Sequence, residues 1–442
     1  MKKLFVLTVA GLVTAGLCAQ EQKHTPDSTA RSAEQTATQD EGMPLMSHAY
    51  SLHLPMSRNG SGTSWLPDAS PMYMYIKGNN RSSWMIHGNI VLRYNKQDVF
   101  NKSSRGGNKV DAPNWFMGMY NRRVGSKGLL NATAMISLDP LTVGESGYPL
   151  LFQTGETYNG ERLIDRQHPH DLFSGLSIAY THSLSRDADV TAYIGYPGEP
   201  ALGPVAFMHR ISALNNANAP LGHHWQDATH TTFGVGTLGI RYKKFKLEGS
   251  VFTGREPDED RYNFEKARFD SYSYRLSFNP NETWAIQFSQ GFLNQPELSE
   301  PGVDLVRTTA SIIRSTSLRT MNWSHTLAIG MNDKTQHEHN EYSLLYETNL
   351  QFQRQALYAR YEYVKKSADD LGLQLSHNGE LFNINAVTLG YNFNISPAAP
   401  VDVLLGAQGT LNFPGAGLKS IYGSLPVGAQ IYLQLRPRRH QQ

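Results

Sequence analysis

From Trp84 to the C-terminus the chain repeats one pattern, an alternation of apolar and polar residues in runs of strand length. In residues 270–278, Tyr272, Tyr274, Leu276 and Phe278 alternate with Ser271, Ser273, Arg275 and Ser277. In residues 283–291, Trp284, Ile286 and Phe288 alternate with Ala285, Gln287 and Ser289. Residues 341–352 put Tyr342, Leu344, Tyr346, Leu350 and Phe352 on one face. In residues 431–436, Ile431, Leu433 and Leu435 oppose Tyr432, Gln434 and Arg436. A tilted strand needs about 9–11 residues to cross a membrane, and the longer runs meet that length.

A soluble sandwich alternates too, so the connections decide. Those near Ser126, Ser185, Lys244, Pro280, Arg319, Arg354 and Pro397 are short. Those near Arg105, Arg166, Ala213, Asp260, Pro296, His337, Asn378 and Gly415 are mostly longer. Tight turns at one end and larger loops at the other are the rhythm of a transmembrane barrel. The reading is all-β: an antiparallel transmembrane β-barrel of about sixteen strands, with twelve or fourteen also compatible, and long loops folded inward. An even count puts both termini on the short-turn side. The mean hydropathy of −0.43 and the lack of a second long apolar run exclude a helical membrane protein, whereas barrel strands are apolar only at alternate positions. No motif repeats at a 20–50-residue period, which disfavours propellers and solenoids.

The N-terminus sets the compartment. Lys2 and Lys3 precede an apolar run over residues 4–17, and Cys18-Ala19 offers small residues before Gln20. This predicts a signal peptide over residues 1–19 that carries away the one cysteine, so disulfides and thiolate sites are not expected. Its removal takes two of the 40 basic residues and none of the 38 acidic ones, leaving a formally neutral chain. Neutrality argues against a nucleic-acid partner. Residues 20–42 are polar and read as a disordered leader, residues 43–83 as a Met/His-rich irregular segment and candidate plug, and residues 84–437 as the barrel. The expected location is the outer membrane, with its lipid and a periplasmic protein as candidate partners.

Three segments break the alternation: Asp165-Arg-Gln-His-Pro-His-Asp171, residues 198–209 ending in Met208-His209, and Leu221-Gly-His-His-Trp-Gln-Asp-Ala-Thr-His230. They start in, or lie beside, long loops rich in Pro, Trp and His. Such loops are usually functional, and inward folding as a constriction is expected. Together with residues 135–140, 147–151, 254–258 and 270–273, these segments resemble an uncharacterised family of Gram-negative outer-membrane proteins associated with copper and heavy-metal resistance neighbourhoods. The resemblance is close over roughly residues 60–292. It implies metal handling and no particular reaction.

The residues make a separate case. Imidazole suits copper, zinc and nickel, while thioether sulfur suits Cu(I). Methionines crowd the first half at positions 43, 46, 56, 72, 74, 85, 117, 119, 135 and 208. On the run from Trp84, the apolar Trp84, Ile86, Ile90 and Leu92 face lipid, which turns Met85 and His87 inward. Met117 and Met119 share a face with Asn121 and Arg123, and Met135 with Asn131, Thr133 and Ser137. A polar lining that contains methionine suits soft metal ions. The candidate ligands are therefore Met85, His87, Met117, Met119, Met135, His168, His170, His209, His223, His224, Asp227 and His230, with a copper ion as the candidate cargo. Asp165, Asp171 and Asp227 are expected to orient imidazoles.

Blander readings weigh against this. Methionine also fills irregular gaps, and the histidines also suit loop hydrogen bonds. A hydrolase assembled from Ser174 or Ser212 with His170 or His209 and Asp171 is enforced by no spacing, and no two-His helical zinc-protease motif is present. The charges at residues 255–261 read as a solvated ion-pair network. A purely structural or surface-interaction barrel is the remaining class.

Overall fold

The computed structural model describes residues 48–318, 320–335, 338–373 and 380–440. The expected signal peptide and leader, with Met43 and Met46, lie outside the described residues. Among these residues the chain forms a closed antiparallel barrel of sixteen strands. They are β1 (Ser82–Gln97), β2 (Gly107–Asp111 and Asn114–Val124), β3 (Gly128–Ile136), β4 (Phe173–Ser185), β5 (Ala188–Gly195) and β6 (Val235–Tyr242). There follow β7 (Phe245–Phe252), β8 (Ser271–Phe278), β9 (Trp284–Leu293), β10 (Leu305–Leu318) and β11 (Met321–Lys334). The last are β12 (Glu341–Phe352), β13 (Gln355–Ser367), β14 (Leu381–Asn394), β15 (Val401–Pro414) and β16 (Val427–Pro437). β16 closes on β1 from Ile90↔Leu435 to Lys96↔Ala429. Where that pairing ends, the short strand Tyr75–Gly78 continues it along β1. β2 is broken at Pro113, which has no N–H to give to the ladder.

Short turns and long loops alternate around the barrel as the sequence predicts. The strand pleat does the rest. On β1, Trp84, Ile86, Leu92 and Tyr94 are exposed on the outside, while Met85, Val91, Arg93, Asn95 and Gln97 are buried inside. Around the wall Ile194, Leu238, Leu389 and Ile431 repeat the outward apolar face, each more than half exposed. An apolar outer belt on a closed barrel is the architecture of an outer-membrane protein. No helix among the described residues is long and apolar enough to cross a membrane.

Little of the lumen is left open. Residues 48–74 run through it irregularly, burying Met56, Trp65 and Met72. They are tied to the wall by Ser51 on Asp189 at 2.7 Å, by Arg275 on Thr63 at 2.9 Å, and by Asn279 on the Leu66 carbonyl at 2.9 Å. The loop after β3 forms a hairpin, Tyr148–Tyr158 with Glu161–Gln167, whose register slips twice. Its Leu151 and Phe152 cluster with Ile384 of β14 and with Leu418 and Tyr422 of the loop after β15, the Phe152 and Tyr422 rings 4.3 Å apart. Each such fully buried side chain contributes about 1.5–3 kcal/mol.

The loop after β5, residues 196–234, is the third piece. Arg210 inside it is fully buried and bonds Glu347 of β12 at 2.9 Å. The Leu221 N–H donates to Glu362 of β13 at 2.6 Å, and Gln434 of β16 donates to the Leu214 carbonyl at 2.8 Å. A buried charge without a partner is costly, so these pairs hold the loop against the wall.

Candidate metal-binding site

Antiparallel register assembles the first group of ligands. Met85 lies opposite Met119, His87 opposite Met117, and Met117 opposite Met135. Period 2 puts all five on the lumenal face. A cavity of about 130 Å³ lies against them, walled by His87, Met117, Met119 and Met135. Met56, Met72 and Met74 from the N-terminal segment and Met208 and His209 from the loop after β5 also border it, among polar and aromatic groups such as Asn59, Trp115, Tyr193 and Glu199. Met85 is set apart from this group: it is fully buried and packs with Met119, Tyr50 and Met56 behind the cavity. The His87 and His209 rings are 5.9 Å apart, and Trp115 packs against both. The Nε2 of His87 is buried without a hydrogen-bond partner.

The second group forms where the two plug loops meet. His223 lies 5.3 Å from His224 and 5.2 Å from His230, ring centre to ring centre. His168 lies 5.8 Å from His224, and His170 lies 5.4 Å from His230. Phe207 packs against His170, His223 and His230. Each ring is held through Nδ1 by an oxygen: His168 by Glu156 at 2.9 Å, His170 by Asp139 at 3.0 Å, and His223 by Asp227 at 2.7 Å. His224 is held by Glu256 at 3.2 Å and His230 by the Asp227 carbonyl at 2.8 Å. The Nε2 atoms of His168 and His224 are buried and unpartnered. An imidazole gripped at Nδ1 and free at Nε2 is how proteins present histidine to a metal.

Charge supports the same arrangement. Burial draws His223 down to about 4, against the pull of Asp227, and draws His209 down to about 3 with help from His87 and His170. His230 is lowered by burial and by His223 and His170. Neutral imidazole is the ligating form. At His224 burial also lowers the value, but Glu256 outweighs it and the net shift is upward. Glu156 is held down at about 2: burial opposes ionisation, and Arg261 and His168 together overcome it.

The structure corrects two assignments. Asp165 and Asp171 do not orient imidazoles. Asp165 accepts the Phe152 N–H at 2.6 Å and meets Tyr422 and Arg105, while Asp171 pairs with Arg261 at 3.3 Å. Residues three apart on an extended chain are about 10 Å apart, so closeness in sequence does not put Asp165 on His168. The carboxylates that do the work are Asp139, Glu156 and Glu256, with Asp227 as expected. Nor are residues 255–261 all solvated. Glu256 and Arg261 are buried beneath the loops, the latter bonding Glu156 at 2.5 Å.

The hydroxyls of the hydrolase reading are committed elsewhere. Ser174 donates to the Asp171 carbonyl at 2.9 Å, and Ser212 lies 2.7 Å from the Thr326 hydroxyl. Glu297, Glu300 and Asp370 bring three carboxylates within 4.8 Å of one another. Lys334 at 3.0 Å from Glu300 and Arg162 at 3.6 Å from Asp370 pair with two of them, making an ion-pair network.

No protein-family model and no curated relative matches the sequence. Solved structures with a similar fold include an anion-selective porin from Comamonas acidovorans, 10% identical, with a TM-score of 0.49 over 80% of this chain and 99% of that one. Another is OmpF of Salmonella typhi in complex with daunomycin, 10% identical, TM-score 0.47, covering 82% and 100%. A loop L8 deletion mutant of OmpT from Vibrio cholerae is 8% identical, TM-score 0.46, covering 81% and 99%. The likeness is one of barrel architecture.

Proposed function

We propose that this barrel binds metal ions, copper first, and passes them across the outer membrane in metal homeostasis or resistance. One observation carries the reading: thioethers from three separate parts of the chain wall a single cavity beside the imidazoles of His87, His209 and His230. Soft thioether with borderline imidazole is a donor set for Cu(I) and a poor one for hard cations. A gap-filling role for methionine accounts for Met85, which is fully buried; Met56, Met72 and Met119 share its apolar cluster but also border the cavity.

The arrangement of neighbouring cavities, which share wall residues, supports such passage. A cavity of about 50 Å³ bordered by His168 and His170 shares Trp115 and Met208 with the methionine cavity. That cavity in turn shares Met72, Tyr73 and Arg436 with a polar vestibule of about 710 Å³ near the C-terminal end of β16. An ion entering among the loop histidines thus meets imidazole, then thioether and imidazole, then a wide polar mouth. The motif resemblance to barrels of copper-resistance neighbourhoods supports the same cargo.

The test is Cu(I) binding by the full barrel in detergent under a reducing buffer, before and after His87→Ala with Met117→Leu and Met119→Leu. Leucine keeps the volume of methionine and removes the sulfur. The expected result is at least a tenfold loss of affinity with unchanged heat-modifiable migration. Unchanged affinity, with unchanged copper tolerance of cells carrying the variant, overturns the reading.

A further inference from the structure

The rings of His170 and His230 approach each other through their outer nitrogens, Nε2 to Nε2, at 3.3 Å. Both Nδ1 atoms are already spoken for. His170 Nδ1 faces Asp139 Oδ2 at 3.0 Å, and Asp139 is itself fixed by the Asn114 N–H at 2.9 Å. His230 Nδ1 faces the Asp227 carbonyl at 2.8 Å. An oxygen acceptor on Nδ1 demands Nδ1–H, which leaves each neutral ring with a bare lone pair on Nε2. Two lone pairs pointed at each other repel unless a positive species lies between them. That species is either one extra proton or a metal ion. Two nitrogens each about 2.0–2.1 Å from one tetrahedral ion stand about 3.3 Å apart, so the observed spacing suits the ion without rearrangement.

The position of the pair is also informative. His170 borders the smaller cavity and His230 the methionine cavity, so the pair stands where the two meet. His223, its ring centre 5.2 Å from that of His230, is the nearest further imidazole, and Phe207 packs over all three rings. Nitrogen donors with oxygen-bound Nδ1 atoms favour borderline divalent ions.

We propose that His170 and His230 form a metal site of their own, taking a divalent borderline ion, Cu(II) or Zn(II), ahead of the methionine cavity. The proposal shares with the function above only the premise that the lumen admits metal, and the two fail separately.

The experiment titrates the full barrel in detergent with Cu(II) chloride, read by electron paramagnetic resonance, and in parallel with Cu(I) under reductant. In the unaltered protein, Cu(II) is expected to bind with nitrogen hyperfine structure. His170→Ala with His230→Ala is expected to lower Cu(II) affinity at least tenfold while Cu(I) affinity changes less than threefold. Met117→Leu with Met119→Leu is expected to do the reverse. His170→Asn alone, a milder change, is expected to lower Cu(II) affinity in the same direction should the double variant fold poorly. No Cu(II) binding by the unaltered protein, the result expected if a proton holds the pair, overturns the proposal. So does Cu(II) affinity unchanged by the histidine variants, or an equal loss of both ions in each variant, which means one shared site. Loss of Cu(II) alone in the histidine variants, with Cu(I) indifferent to the methionine variants, keeps this site and sinks the thioether reading.

Discussion

Strands β1–β3 and strands β11–β13 line the same lumen with opposite chemistry. The first set presents Met117, Met119, Met135 and His87 to a small internal cavity. The second presents Glu347, Asn349, Glu362 and Asn332, and each grips the plug. Glu347 takes Arg210, Asn349 bonds Asn215, Glu362 receives the Leu221 N–H, and Asn332 donates to the His224 carbonyl. From sequence the second half reads as plain wall. The structure makes it the anchor that holds the loop histidines in place, so the reactive side of the lumen depends on the inert side.

The anchor is the place to break this division most severely. Glu347 accepts from Arg210 and from Arg360, the latter through Nε at 2.9 Å from its Oε1, and all three side chains are buried. Glu347→Ala leaves Arg360 without a carboxylate and Arg210 with Asp227 alone, a loss of about 3–5 kcal/mol. The expected outcome is a lower melting temperature and a larger single-channel conductance in planar bilayers, because the loop after β5 comes loose. Conductance unchanged in a folded variant would show that the wall does not hold the plug.

A lipid-facing change tests the wall from outside. Leu238 on β6 is 68% exposed and points outward. Leu238→Arg is expected to cost about 2–4 kcal/mol if it lies near the bilayer midplane. Urea titration of refolding into vesicles reads it, and a neutral result contradicts the assignment of that face to lipid.

Gly155 sharpens the reactive side. Its φ of +127° is a glycine conformation, and a Cβ there lies 2.1 Å from Nε2 of His224. Gly155→Ala is expected to cost about 1–3 kcal/mol from the backbone alone. It also displaces His224 from Glu256, so the melting temperature falls and Cu(II) binding changes less than in the His170 and His230 variants. Smallest of all is Asn215→Ala, which removes the bonds to Asn349 and Arg436. About 0.5–1.5 kcal/mol per lost bond is expected in thermal melts, with metal binding intact.

Much of this was legible beforehand where the reasoning was local. Tyr272, Tyr274 and Leu276 face out and Ser273, Arg275 and Ser277 face in because successive side chains of a strand point to opposite faces. The same rule turned Met117 and Met119 inward. It turned Met85 inward too, but did not reveal that Met85 is covered in a cluster with Tyr50 and Met56 of the N-terminal segment, a contact no strand pattern encodes. It failed for the partners of the loop histidines. Glu156 is twelve positions before His168, Asp139 is thirty-one before His170, and Glu256 is thirty-two after His224.

The sequence by itself determined the architecture: an antiparallel barrel of about sixteen strands, its lipid and lumen faces, the rhythm of turns and loops, and which residues are candidates for a soft metal. Those follow from a period of two and from side-chain chemistry, both properties of short stretches of chain. Tertiary structure alone decided that the long loops and the N-terminal segment meet inside the barrel, which carboxylate steadies which ring, and that His170 and His230 oppose their nitrogens at 3.3 Å. Such meetings are set by how the barrel closes and where irregular backbone finds partners for its polar groups, and neither is a property of neighbours in sequence.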